Sequence, residues 1–363
     1  MMNNILNRYL SNFLFIEIIF VQIMSGFPNF IEDNFSNGIF RITSSIYRSL
    51  IGWIPIIIGY LLYAYFIYIL LKFIYTIFRK KTIHLRTYRL SIGATISVLY
   101  FFFIFNWGLN YHRVPLTTKL NIQQKEYSTA LLNKFTLKTI NEINSLHSTT
   151  VKNDSLPYKV PYTKSDIHIM SKIGYDFISK SEPDYNYAIP SVKNSIFSIP
   201  LSYMGFSGYL NPFTGEAQIN SKIPLCNYAF TTCHEIAHQI GYATESEANF
   251  IGYLATTSHP NTYFKLSGHT TALKYLLNEL YLRDKVLYQE ALEKMNYGIL
   301  KNIKESLLTV VSLVWSLLQI AHSYLTLCYQ TVRVTGVSLY QRFIKKLLID
   351  PGLIYIQEKE LNI

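Results

Sequence analysis

His234 and His238 stand four residues apart, and Glu235 directly follows the first. On a helix, residues i and i+4 lie one turn apart on the same face. Two imidazoles so placed can hold one zinc ion, and a carboxylate beside the first can hold a water against it. A bare H-E-x-x-H pattern also arises on ordinary solvated helices. Here the neighbours Ala229, Phe230, Cys233, Ile236, Ala237 and Ile240 are apolar or small, which predicts a buried helix. Two buried histidines and a buried carboxylate need partners, and a zinc ion would be one. Gly241 stands where a glycine closes a helix. A new apolar-periodic segment starts at once and carries Glu245 and Glu247, so a third ligand is expected there.

Glu245 and Asn249 form an E-x-x-A-N pattern, which resembles the second-helix signature of several gluzincin peptidase families. The resemblance implies that Glu245 is the third zinc ligand and that Asn249 supports a ligand histidine. Glu247 is the rival for the ligand role. Thr244 stands where a metzincin would place its third histidine. A wider resemblance runs from about the first helix to residue 350. It is carried by Asn211-Pro212-Phe213-Thr214-Gly215-Glu216-Ala217-Gln218-Ile219-Asn220, Pro224, the histidine motif, and Glu245 to Phe250. These pieces are similar to a family of uncharacterised Bacteroidetes membrane proteins, filed as a domain of unknown function and regarded as zinc metallopeptidases. Asn106-Trp107-Gly108-Leu109-Asn110-Tyr111 with Pro115, and Gly336-Val337-Ser338-Leu339-Tyr340, resemble it too. The resemblance implies a peptidase and supplies no substrate.

What must position these residues is a membrane region followed by a domain. Of 363 residues, 50% are hydrophobic and only 15% charged, a balance high for a soluble protein. There is room for membrane spans and one globular domain. The net charge of +11 does not argue for nucleic acid, because the basic residues cluster beside apolar spans and no such motif occurs. Three spans are expected: Phe13 to Met24, about 51–78, and about 90–107. The first also admits a signal peptide, but no small-x-small cleavage site follows it. Glu17 interrupts it. We read Glu17 as the mark of a poorly hydrophobic helix packed on others, with a functional intramembrane acid as the rival. The loop 79–90 holds Arg79, Lys80, Lys81, Arg86 and Arg89 and no acid. The positive-inside rule puts it in the cytoplasm and everything after about residue 108 outside. The expected organisation is a transmembrane region over 1–110 and an extracytoplasmic domain over 111–363. In a Gram-negative cell that is a multi-pass inner-membrane protein with a periplasmic catalytic domain.

The expected fold is an α-helical membrane region followed by a mainly α (α+β) zincin-like metallopeptidase domain. Helices are expected at 123–147 and about 164–180, then two to four strands over 190–224. Within these, Gly215, Glu216, Ala217 and Gln218 form the candidate strand for aligning a substrate backbone by strand addition. Glu216 stays open between a substrate contact and a turn carboxylate. The metal helix is expected at about 227–240 and the second ligand helix at 245–257. Further helices are expected at about 267–283 and 284–296. The apolar stretch 306–332 is long enough for a fourth span, although its Ser, Thr, Gln319 and His322 favour a buried helix. Cys226, Cys233 and Cys328 are an odd set without a C-x-x-C pair; in an oxidising periplasm one pair could bridge, and spacing does not say whether it does. Cys233 precedes His234 and points about 100° away from it on a helix, which reads as packing.

The chemistry implied is hydrolysis of a peptide or protein substrate in the cell envelope by a protein that also meets the lipid bilayer. One zinc ion (Zn2+) held by His234, His238 and Glu245 leaves a fourth position open, the mark of a catalytic rather than a structural site. Glu235 is the expected general base. Tyr242, Tyr253, His259 and His269 are the candidates for an oxyanion donor, while His112 and His322 read as structural. A non-catalytic zinc-binding sensor or scaffold is the other reading; it would tolerate loss of Glu235, which is present. A transporter is disfavoured by the few polar residues in the spans.

Overall fold

The computed structural model describes residues 2–79, 85–121 and 126–306. The stretch 307–332, His322, Cys328 and the run 336–340 lie outside the described residues. Hydropathy builds the first part. Helix α1 (Met2–Met24) is followed by α2 (Pro28–Phe30), which runs through a π-helical stretch (Ile31–Ile39) into α3 (Phe40–Ile51). Then come α4 (Ile58–Arg79) and α5 (Leu85–Asn106). Among the described residues, α4 and α5 are each long and apolar enough to cross a membrane, over Ile58–Thr76 and Tyr88–Asn106. A third span exists only if α1 and the Pro28–Ile51 helix count as one, and these bend by 101°. The expected three spans are therefore two, or three with a broken one.

The expected Phe13–Met24 span does not pass alone, and the segment 28–51 that would extend it is engaged elsewhere. Arg48 donates to the carbonyl of Gln239 at 2.9 Å and to that of Ile189 at 2.9 Å. Glu32 receives Arg113 at 2.7 Å and Lys119 at 2.8 Å. The segment is thus fastened to the domain, and a boundary at residue 110 cuts through a packed unit. Helix α1 packs along α5. Gly93 leaves room for Ser11, and the buried Glu17 accepts from Ser97 at 3.0 Å.

After a 3-10 turn (Gly108–His112), the domain runs α6 (Leu116–Lys119), α7 (Thr129–Ser148), α8 (Lys164–Ile178), β1 (Val192–Ser195), α9 (Ser198–Tyr203), β2 (Gly208–Leu210) and β3 (Ala217–Asn220). It continues through α10 (Leu225–Gln239), α11 (Glu245–Thr257), α12 (Thr262–Arg283) and α13 (Lys285–Glu293). Side-chain caps set several starts: Ser128 for α7, the Thr163/Asp166 capping box for α8, and Asn261 for α12. The Asn261 cap explains why α12 begins before the expected residue 267. The three strands lie in the order β1-β3-β2, with β1 parallel and β2 antiparallel to β3. Helix α10 is the central element. Its Tyr228, Cys233, Ile236 and Ala237 share one core with Tyr175 of α8, Ile219 of β3 and Ile251 of α11. A second core joins α7, α12 and α13 through Ile140, Ile143, Leu273, Leu280 and Ala291. Among the described residues, Cys226 and Cys233 are buried and form no disulfide.

Candidate metal centre

Nearly every side chain of α10 is buried, so His234, Glu235 and His238 are held by the core rather than by water. Helix α11 crosses close because Gly252 has no side chain: a Cβ there would lie 3.1 Å from the His234 backbone nitrogen. That approach brings the start of α11 over the two imidazoles. Glu245 lies 3.2 Å from His234 Nε2 and 3.6 Å from His238 Nε2. One ligand atom from each of the three residues fits within 4.8 Å of the others.

The outer ring nitrogens are fixed from behind. His234 Nδ1 donates to Asn249 Oδ1 at 3.0 Å, and His238 Nδ1 donates to the Tyr242 carbonyl at 2.7 Å. Gly241, at φ +96°, turns the chain so that this carbonyl faces back. With both Nδ1 atoms donating, each neutral imidazole presents its Nε2 lone pair to the same point as the Glu245 carboxylate. When the imidazoles are instead protonated, their Nε2–H groups donate to Glu245 and hold its carboxyl far below the usual carboxylate range. Burial pulls His238 down, but the Glu245 hydrogen bond and the Glu235 charge outweigh it and leave it raised.

Glu235 lies on the same helix with its carboxylate against β2. A Cβ at Gly208 would stand 2.6 Å from Glu235 Oε1. Its other oxygen is buried without a hydrogen-bond partner among the described residues. Burial raises its pKa; the two histidines oppose the rise and Glu245 adds to it. A cleft of about 610 Å³ opens over these groups. Its walls include Gly208 and Tyr209 of β2, Trp107 after α5, and Lys274 and Tyr275 of α12.

The profile of the family described as Protein of unknown function (DUF3810) matches residues 35–349. The chain belongs to that family. The match takes in α4, α5 and the whole His234–Glu245 group. No curated protein and no solved structure matches.

Several expected roles move. Glu247 does not join the cluster: it accepts the Leu116 amide at 2.7 Å and so caps α6. The strand carrying Ala217 and Gln218 is the central one, paired on both sides and buried throughout. It has no free edge for a substrate, and Gly215 lies in the turn before it. The strand that lines the cleft is β2. Glu216 is neither a substrate contact nor a simple turn residue. It is fully buried, pairs with Lys193 at 2.7 Å, and accepts the amides of Ile58 and Gly59. Tyr242, Tyr253, His259 and His269 are absent from the cleft lining. His259 stacks on Phe264, and Tyr253 contacts His269. Tyr275 was not legible in advance; its hydroxyl accepts from Asn249 at 3.4 Å, a contact between helices that no local spacing encodes.

Proposed function

We propose that this protein is a membrane-anchored zinc metallopeptidase with a zincin-like catalytic domain facing the outside of the cell. The observation that carries the reading is the convergence of His234 Nε2, His238 Nε2 and the Glu245 carboxylate, three acceptors fixed at one point. Such a set calls for protons or a cation at that point, and two imidazoles with one carboxylate suit zinc. Zinc bound there supplies Lewis acidity, which polarises a scissile carbonyl and acidifies a water. The buried Glu235 carboxylate takes the proton of the attacking water and delivers it to the leaving amine. Its raised pKa suits a group that must both accept and return a proton. Strand β2, a sheet edge beside Glu235, aligns an extended peptide backbone. Tyr275, over Asn249, is placed to donate to the developing oxyanion.

The test is the metal content and peptidase activity of the purified full chain. One zinc per chain, with hydrolysis of a peptide pool that stops when the metal is chelated and returns with zinc, is the expected result. A folded chain that binds no zinc would overturn the reading.

A further inference from the structure

Granted the peptidase reading, we propose that the cleft opens at the bilayer surface and takes the juxtamembrane stretch of membrane-anchored polypeptides. One span builds part of its wall, and the other holds the wall opposite. Phe103 lies within the Tyr88–Asn106 span and lines the cleft together with Trp107. The Trp107 ring stands edge-on to His238, 5.9 Å between centroids. No layer of soluble domain separates the metal ligands from the end of α5.

The opposite wall is fastened to α4 at bilayer depth. The Tyr60 ring meets Phe197 at 4.6 Å and its hydroxyl meets Ser195 at 2.6 Å. Further along, the Phe66 ring meets Phe213 at 6.3 Å. Phe66 lies eight residues past Ile58, about 12 Å along the helix axis at ~1.5 Å per residue. The hydrocarbon layer is roughly 30 Å thick. The turn carrying Pro212 and Phe213 therefore stands beside lipid, and Pro212 lines the cleft. Helices α4 and α5 meet at their far ends, where Phe73 and Tyr88 are 5.5 Å apart. At the near end α5 packs on α1 and α4 packs on the domain, so the two spans flank the cleft.

The wall opposite Phe103 and Trp107 belongs to a lobe made for lipid. Residues 194–215 carry no charged side chain. Within them Ile196 is 74% exposed, Met204 60%, Phe206 54% and Ile199 50%. Exposed apolar groups clustered this way mark an interaction surface. Its continuity with α4 through the Phe197–Tyr60 contact names the occupant as the bilayer. Phe206 also lines the cleft, so the lipid-facing lobe and the catalytic groups share one rim. A polypeptide held by its own anchor is confined to that rim, which raises its local concentration to the millimolar range at roughly the right depth.

The experiment uses the full chain with Cys328→Ser, reconstituted in phosphatidylcholine/phosphatidylglycerol nanodiscs. Ile199→Cys and Phe206→Cys, carrying an environment-sensitive dye, are compared with Leu282→Cys in lipids with brominated acyl chains. Both lobe positions should be quenched and position 282 should not. In the same nanodiscs, a pool of random-sequence decapeptides is offered free and with an N-terminal palmitoyl anchor. The anchored pool should be cut at least tenfold faster, with cuts next to the anchor. Equal cleavage of the two pools overturns the proposal and leaves the peptidase reading intact. Cleavage of neither overturns the peptidase reading and the substrate class with it; the quenching then still decides whether the lobe meets lipid.

Discussion

Glu216 accepts the ammonium of Lys193 at 2.7 Å, and both side chains are buried where the sheet meets α4. The same carboxylate takes the amides of Ile58 at 3.1 Å and Gly59 at 2.8 Å. The first amides of a helix have no partner within it, and its dipole favours an anion there. Lys193 also donates to the carbonyls of Ile51 and Ile56. The pair thus closes the break between α3 and α4 and joins a membrane helix to the domain. Lys193→Met leaves the buried Glu216 charge without its counter-ion and should cost roughly 3–5 kcal/mol. The double variant Lys193→Met/Glu216→Gln should recover part of that loss, because the two sites couple. Thermal melts of the detergent-purified chain check this; equal melting of wild type and single variant would show that the pair carries nothing.

Glu235→Gln keeps the shape of the side chain but removes the base. It should bind zinc as wild type does and lose about 10²–10⁴-fold in peptide hydrolysis. Metal analysis beside a cleavage assay reads both effects. Undiminished activity would contradict the mechanism.

Glu245 and Glu247 sit two residues apart and do different work. Glu245→Ala should abolish stoichiometric zinc. Glu247→Ala should keep it, and should instead loosen α6 by freeing the Leu116 amide, at about 0.5–2 kcal/mol for a lost cap. Zinc content of the two variants decides the assignment. Loss of metal in the second alone would move the ligand role to Glu247.

Gly252 sets the spacing of α10 and α11. Valine there must push His234 and its helix away, which should cost about 1–3 kcal/mol. The larger effect is expected on metal affinity, since Glu245 and Asn249 move with α11. Competition for zinc against a coloured chelator measures it. Unchanged affinity would mean that the two helices do not need this contact.

The pairing of Glu32 with Arg113 and Lys119 predicts a pH dependence. Burial alone would raise the Glu32 pKa, but the two cations outweigh it and hold it below its ordinary value of 4.5. A carboxylate depressed by folding stabilises the fold above its unfolded pKa and loses that contribution as pH falls through its folded pKa. Wild type should therefore melt well above Glu32→Gln at neutral pH, and the gap should narrow as pH drops below about 4.5. Melting curves across pH 3 to 7 test this prediction; a gap independent of pH would refute the charge account.

The shared face of His234 and His238 is legible in the sequence, because the helical period is local. The apolar runs of α4 and α5 are legible for the same reason, since hydropathy needs no partner to be read. The Glu245-x-x-x-Asn249 spacing likewise places two polar groups on one face of α11. None of these spacings says which acid of α11 reaches the histidines. That is decided where Gly252 lets α11 cross α10 and where Leu116 claims Glu247. The substrate-strand assignment fails in the same way. Ala217 and Gln218 read as an edge, but strand order depends on pairing between distant segments, and β3 lies between β1 and β2. Glu216 looks like a turn residue until α4, about 160 residues earlier in the chain, brings its free amides to it. By itself the sequence determined which residues share a helix face and which helices are apolar, because both follow from short-range periodicity. Only the tertiary structure decided which faces meet, since contacts far apart in sequence are chosen by burial and by the need to satisfy every buried polar group.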